Sequence, residues 1–225
     1  MNLTNLKKAF ILTIPVLLGY IFLGIAFGIL VVSSGYNVFF TLLSSSILYA
    51  GSMQFALIAF LKENASLISI LVMTLFINSR HMFYGLTLIE RYSKFNKLKP
   101  YMMFSLTDET YALICSLKDK EDYNSNTILF LVSFLNHMYW IAGGLIGTLI
   151  GNVLPINATG IDFAMTALFV AIVVDQYKTN KDHFPFYTGL FIGIASLIIL
   201  GPDNFLLPAI ILSVIILIIR NKKYE

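Results

Sequence analysis

The sequence predicts an all-α integral membrane protein, a polytopic helical bundle of seven or eight apolar segments. Composition, the length of the apolar runs and the placement of charge carry that prediction. Of 225 residues, 58% are hydrophobic and 12% charged, with a mean hydropathy of +0.82; soluble domains average about 45–50% apolar and about 25% charged. One crossing takes about 20 apolar residues, so the chain holds enough for roughly six to eight. Little is left for an extramembrane domain, and a soluble enzyme is excluded. The net charge of +3 is too small and scattered for a nucleic-acid footprint. Basic residues sit near segment ends, as the positive-inside bias places them. The single cysteine, Cys115, excludes an internal disulfide and a cysteine metal cluster. The whole chain, 1–225, reads as one transmembrane domain.

The first apolar run, 9–32, follows Lys7 and Lys8 and exceeds the about 7–15 residues of a signal-peptide core, so it reads as a retained span. Pro15, Gly19, Gly24 and Gly28 interrupt it. After the turn signal Gly35-Tyr36-Asn37, a second span covers about 39–61 and a third about 66–89. A basic loop follows with Arg91, Lys94, Lys97 and Lys99. Residues 101–117 are short and carry Thr107-Asp108-Glu109; 118–126 is a polar loop. Further spans cover about 127–151, 161–177, 184–200 and 205–219, the last two joined by the turn Gly201-Pro202-Asp203-Asn204. Orientation conflicts with this count. The N-terminal lysines, the 91–99 loop and the C-terminal cluster Arg220, Lys222, Lys223 all favour the cytoplasm, yet three simple crossings place 91–99 outside. A re-entrant segment on the N-terminal side removes the conflict, and the broken first segment is the candidate; 101–117 is a second.

An internal repeat is visible. Tyr20, Gly24, Gly28 and Leu30 recur as Tyr139, Gly143, Gly147 and Leu149 at one offset. Such repeats build transporters whose substrate site lies between the halves, here about 9–117 and 127–219. Glycine at four-residue spacing, extended to Gly151, equally serves close helix packing.

Ionisable groups inside apolar spans are costly and are functional candidates by default. Asn78-Ser79-Arg80-His81 is the strongest set. The planar fork of Arg80 suits a carboxylate and His81 titrates near neutrality; the alternative is that Arg80 snorkels to the interface beside a structural His81. Asp108 and Glu109 suit a substrate ammonium or a pairing with Arg80, or else they form a helix start capped by Thr107. Asn136, His137 and Gln54 line a cavity or hydrogen-bond across helices. Asp162 and Asp175 read as solvated ends. No zinc-binding His-Glu-x-x-His, phosphate-binding loop or Gly-x-Ser-x-Gly elbow occurs, so no enzyme, metal or cofactor is expected. No filter-like carbonyl run or acidic ring marks an ion channel.

Three runs together resemble the AzlC (YgaZ) family: Pro15-x-x-x-Gly19-Tyr20-x-x-x-Gly24-x-Ala26-Phe27-Gly28, Ala50-Gly51-Ser52-Met53-Gln54-Phe55 and Asn78-Ser79-Arg80-His81-Met82-Phe83-Tyr84-Gly85. Leu106-Thr107-Asp108-Glu109-Thr110-Tyr111-Ala112-Leu113 and 160–169 are similar to its later motifs. Ser79 and Ser52 depart mildly from the family's usual Leu and Ala. The resemblance implies a multi-pass permease in the plasma (inner) membrane of a prokaryotic cell. It would export valine, leucine, isoleucine and in some members methionine, working with a small AzlD (YgaH)-type membrane subunit. A proton gradient is the expected drive. An uptake permease or channel for another small solute, and a non-transporting membrane scaffold, are the other classes compatible with the residues.

Overall fold

The computed structural model describes residues 3–117, 125–154, 182–201 and 205–221, with single positions between 163 and 178. Every regular element among them is helical. They belong to two compact units, residues 1–165 and 166–225.

The first unit contains α1 (Leu3–Ser33), α2 (Val38–Leu43) running into a π-turn (Ser44–Leu48), α3 (Gly51–Lys62) and α4 (Leu67–Tyr92). A 3-10 stretch (Ser93–Leu98), α5 (Lys99–Phe104), α6 (Asp108–Ser116) and α7 (Asn126–Val153) follow. Among the described residues only α1 and α7 combine the length and apolar composition of a full crossing. The expected count of seven or eight segments is therefore not confirmed. The segments expected at 39–61 and 101–117 are each two short helices around a break, and 161–177 lies outside the described residues apart from isolated positions.

α1 and α7 run parallel and in register. Ala9 packs in one cluster with Ile128, the Thr13 and Tyr139 hydroxyls bond at 3.0 Å, and Val32 touches Gly151. Between these points Gly24 lies on Gly143, and Gly28 on Gly144 and Gly147, backbone against backbone. A methyl group on Gly24, Gly28, Gly143 or Gly147 would strike main-chain atoms of the partner helix. Their small size is thus a requirement of contact, the small-residue packing used where lipid removes the hydrophobic drive between helices. Gly19 faces open space. Contrary to expectation, α1 is not the broken segment: it passes through Pro15 as one helix. The chain breaks instead after the π-turn, where Tyr49 takes left-handed dihedrals (φ 40°, ψ 47°), unusual for a bulky residue.

Contacts trace two re-entrant hairpins. From the far end of α1, the α2 segment runs antiparallel along α7: Thr41 Oγ1 lies 2.8 Å from Thr148 Oγ1, and Ser45 O lies 3.2 Å from His137 Nε2. α3 then turns back. Gln54 Nε2 donates to the Ser44 and Ser45 hydroxyls at 3.4 and 3.3 Å, and Phe55 packs on Phe27. α4 next travels the full depth. It passes Met53 at Thr74 (3.6 Å) and brings Tyr92 and Phe95 into one cluster with Leu129, near the start of α7. There Asn126 Nδ2 donates to Lys94 O at 3.1 Å. The second hairpin enters from this end. α5 rises past His137 to Thr107, which meets Tyr20 half-way along α1, and α6 returns Ile114 and Leu117 to the cluster of Tyr92 and Leu129. The basic 91–99 stretch therefore lies at the end where α1 and α7 begin, with Lys7 and Lys8. Both hairpins double back part-way along α7, and the reversal that the charge pattern calls for on the N-terminal side falls at 38–62 rather than in the first segment.

In the second unit, α8 (Phe184–Leu200) and α9 (Leu206–Asn221) follow one another across Gly201, whose φ of 75° favours glycine. Arg220 near the end of α9 bonds Asp182 before α8 at 2.8 Å and covers the Phe184 ring at 4.2 Å, so the pair is antiparallel. Those Arg220 hydrogen bonds, then the Phe184 N–H, hold the Asp182 carboxyl below its ordinary value. This exposed ion pair contributes above the ordinary aspartate range and is lost as pH falls through the depressed value.

Two outcomes are expected. Reporter fusions at the N-terminus and within 91–99 report the same side of the membrane, while a fusion at Gly35–Asn37 reports the opposite one. Gly28→Ala lowers the thermal stability of detergent-purified protein by the equivalent of about 1–3 kcal/mol through overpacking, whereas Gly19→Ala leaves the melting curve in place.

Candidate functional site

The two hairpin tips, Tyr49–Ala50 and Ser105–Thr107, meet half-way along α1 and α7. The Tyr49 and Phe104 rings are 6.2 Å apart. Polar groups at this depth have no bulk water to bond, so each needs an internal partner.

The first tip is secured by Gln54 and His137. Gln54 is fully buried. Its oxygen accepts the Trp140 indole N–H at 2.8 Å, and its amide hydrogens reach Ser44 and Ser45. This is the cross-helix hydrogen-bonding reading of that residue. His137 joins both hairpins to α7. Ser45 O only accepts, so Nε2 carries the hydrogen; Nδ1 then accepts from Tyr101 Oη at 3.2 Å. The neutral imidazole packs 4.2 Å from the Tyr49 ring.

The second tip is built on Thr107. Its hydroxyl caps α6 by accepting the Thr110 N–H at 3.3 Å, with Asp108 and Glu109 in the first turn. The helix-start reading of these carboxylates is therefore met. The tip is also a hydrogen-bond chain. Tyr20 Oη donates to Glu109 Oε2 at 2.7 Å and lies 2.6 Å from Thr107 Oγ1. Thr107 donates to Thr110 Oγ1 at 2.9 Å, which accepts from Asn136 Nδ2 at 3.0 Å. Buried Asn136 Oδ1 and Tyr49 Oη make no hydrogen bond, although Tyr20, Thr107 and Glu109 are the polar neighbours of Tyr49.

The two half-helices that start here differ in charge. α6 begins with its own two carboxylates, whereas α3 has no capping side chain and no acidic residue in its first turn. A helix N-terminus carries about half a positive charge, so at mid-depth α3 presents a bare positive end and α6 a negative one.

α4 extends to Tyr92, past the end expected at about 89, which puts Asn78–His81 in the middle of the helix. The side chains of Ser79 and Arg80 are outside the described set. His81 stands edge-on to Tyr84, which stacks at 4.3 Å on Tyr111 of α6, so α4 borders the second hairpin. Asn78 Oδ1 is buried without a hydrogen bond. Asp162 and Asp175 lie outside the described residues. No cluster of His, Cys, Asp and Glu suited to a metal occurs among the described residues.

The structure thus gathers Glu109, Asp108, Asn136, His137 and Gln54 around the tips. Sequence reasoning missed Tyr49, Tyr101, Thr110 and Trp140 as site residues, and took Tyr20 as a repeat marker and part of a family-like run. Hydroxyl and ring residues are too common in apolar spans to stand out. The matched pair also diverges: Tyr139 bonds Thr13, while Tyr20 serves the tip.

Comparisons with known proteins agree with the site's setting. The family model described as AzlC protein matches residues 15–154. The branched-chain amino acid transport protein AzlC of Bacillus subtilis is 36% identical over 97% of this chain and 86% of its own length. An uncharacterized membrane protein of Haemophilus influenzae is 36% identical over 97% and 90%. The inner membrane protein YgaZ of Escherichia coli is 25% identical over 75% and 72%. No solved structure matches the chain.

Gln54→Leu leaves the Trp140 N–H and two serine hydroxyls short of a partner. It is expected to destabilise the protein by about 1–3 kcal/mol, read as a lower melting temperature in detergent; an unchanged value would show that the tip does not depend on this amide.

Proposed function

The chain belongs to the AzlC family, and on that premise we propose that it is a secondary transporter that exports branched-chain amino acids, with methionine as a further substrate. It works in the plasma membrane of a prokaryotic cell, is driven by the proton gradient and acts with a small AzlD-type membrane subunit. The observation that carries this reading is the meeting of two half-helix tips of opposite electrostatic character at mid-depth. Broken helices whose termini face a central site are a transporter device.

A zwitterion fits that arrangement. The bare N-terminus of α3, assisted by Arg80 from the middle of α4, takes the α-carboxylate; Asp108 at the head of α6 takes the ammonium. The aliphatic side chain lies against the aromatic surface of Tyr49 and Phe104. Each hairpin closes the path on its own side, so displacing one tip at a time exposes the site alternately. The name of the Bacillus subtilis relative supports the substrate class, and export is the direction the family resemblance implies.

The test uses cells lacking other exporters and loaded with an isoleucine-containing dipeptide. Arg80→Ala is expected to abolish isoleucine release while the protein still reaches the membrane; release at the wild-type rate removes Arg80 from the mechanism. Flux in liposomes, with and without the small subunit, separates an exporter from a channel or scaffold.

A further inference from the structure

The end of the first unit that carries Lys7 and Lys8 also holds a cavity of about 290 Å³ between α4 and α6. It arises from a spacing. Tyr92 and Phe95, three residues apart, turn inward together, both buried and edge-to-face at 5.7 Å. Arg91 and Lys94 have the same spacing one residue earlier, so they share the neighbouring face. Both line the cavity. Asn126 Nδ2 donates to Lys94 O at 3.1 Å, which fixes the 3-10 stretch against the start of α7. Buried Leu88 and Ile114 add apolar lining from α4 and α6.

This cavity is short of an acceptor. Arg91 Nε is shielded from solvent and makes no hydrogen bond. Neither Arg91 nor Lys94 forms an ion pair with a described carboxylate, Glu90 of the lining included. A charged donor buried without an acceptor is costly. The helices do not supply the need: α4 and α6 both end here, and helix C-termini attract cations. An oxyanion does supply it, since its paired oxygens fit the guanidinium fork while lysine acts as a point charge. We propose that the cavity binds a phosphate oxyanion, as a lipid phosphodiester or as free phosphate, with Arg91 bonding it through Nε and an amino group and Lys94 balancing its charge.

Three observations favour the lipid as the source. Arg91, Lys94 and Glu90 give the lining one net positive charge, which a single phosphodiester neutralises. The volume is close to the lower bound of small-molecule sites, about 300 Å³, so it admits a headgroup and leaves acyl chains outside. Leu86 and Ile89, exposed on the same turns of α4, offer those chains an apolar surface. The setting agrees as well. Lys97 and Lys99 follow in the same stretch, and basic segments of this kind face the anionic leaflet. The site stands apart from the hairpin tips and does not depend on what the protein transports.

The test uses Cys115, the single cysteine, which is exposed and lines the cavity. The full chain is reconstituted in vesicles of phosphatidylcholine alone, phosphatidylcholine with phosphatidylglycerol, or phosphatidylcholine with inorganic phosphate in the buffer. The rate of Cys115 alkylation by N-ethylmaleimide, uncharged and membrane-permeant, reports whether the cavity is filled. An anionic surface at about −30 mV concentrates protons and slows alkylation about threefold whatever the cavity holds. Phosphatidylglycerol is expected to slow wild type by about tenfold or more, and Arg91→Gln by no more than that threefold. Lys94→Gln weakens the protection and Glu90→Gln strengthens it. A melting curve in detergent checks that each variant is folded; if Arg91→Gln is not, Lys94→Gln decides in its place. Equal protection by inorganic phosphate in neutral vesicles supports the oxyanion site and assigns its source to the aqueous phase. Slowing of about threefold or less with both probes, or undiminished protection in folded Arg91→Gln, overturns the inference.

Discussion

The architecture of the first unit depends on the contact of two bare backbones, α1 and α7, through Gly24, Gly28, Gly143 and Gly147. In lipid, apolar side chains gain nothing by leaving the bilayer for one another, so dispersion at close range and hydrogen bonds hold helices together. Glycine permits that closeness, and the register it imposes sets the other positions. Tyr20 and Asn136 come to the same depth because Gly24 lies on Gly143, and both hairpins take their depth from α7 through Thr148, His137 and Asn136.

Breaking helices half-way through a membrane exposes peptide groups that nothing outside the protein can satisfy. The solution here is local and economical. Gln54 satisfies an indole and two serines, His137 takes a π-turn carbonyl, and Thr107 caps the helix that it begins. Among the described residues of the first unit, many of the buried polar side chains therefore gather where the backbone is irregular. The same concentration places a carboxylate, several hydroxyls and an uncapped helix end together. Structure and chemistry at the tips are consequently difficult to separate by mutation unless the substitution preserves the cap.

The membrane class and the long helices were legible in composition and run length, because a crossing helix must be long and apolar. The need for a re-entrant segment was legible in the lysines and arginines. Its location was not: Pro15 and the first-segment glycines look like breaks, yet they lie in a helix supported along its length by α7, while the real break at Tyr49 carries no glycine or proline. Left-handed dihedrals at a tyrosine follow from what surrounds it, which a local reading does not contain. Of the site, Glu109, Asn136, His137 and Gln54 stood out because charge and amides are rare in apolar runs. Tyr20, Tyr49 and Thr110 did not, since nothing in their type separates a bonded hydroxyl from an ordinary core one.

One imidazole, that of His137, bonds a carbonyl of the first hairpin and a phenol of the second. Displacing either tip alone breaks one of these bonds, at a net loss of about 0.5–1.5 kcal/mol, while displacing both breaks two. The doubly displaced arrangement, a continuous water path down which the cell's ion gradients would collapse, is thereby disfavoured relative to each singly displaced one. In the proposed permease the ring would thus insulate against leak, a duty distinct from selecting or moving any substrate.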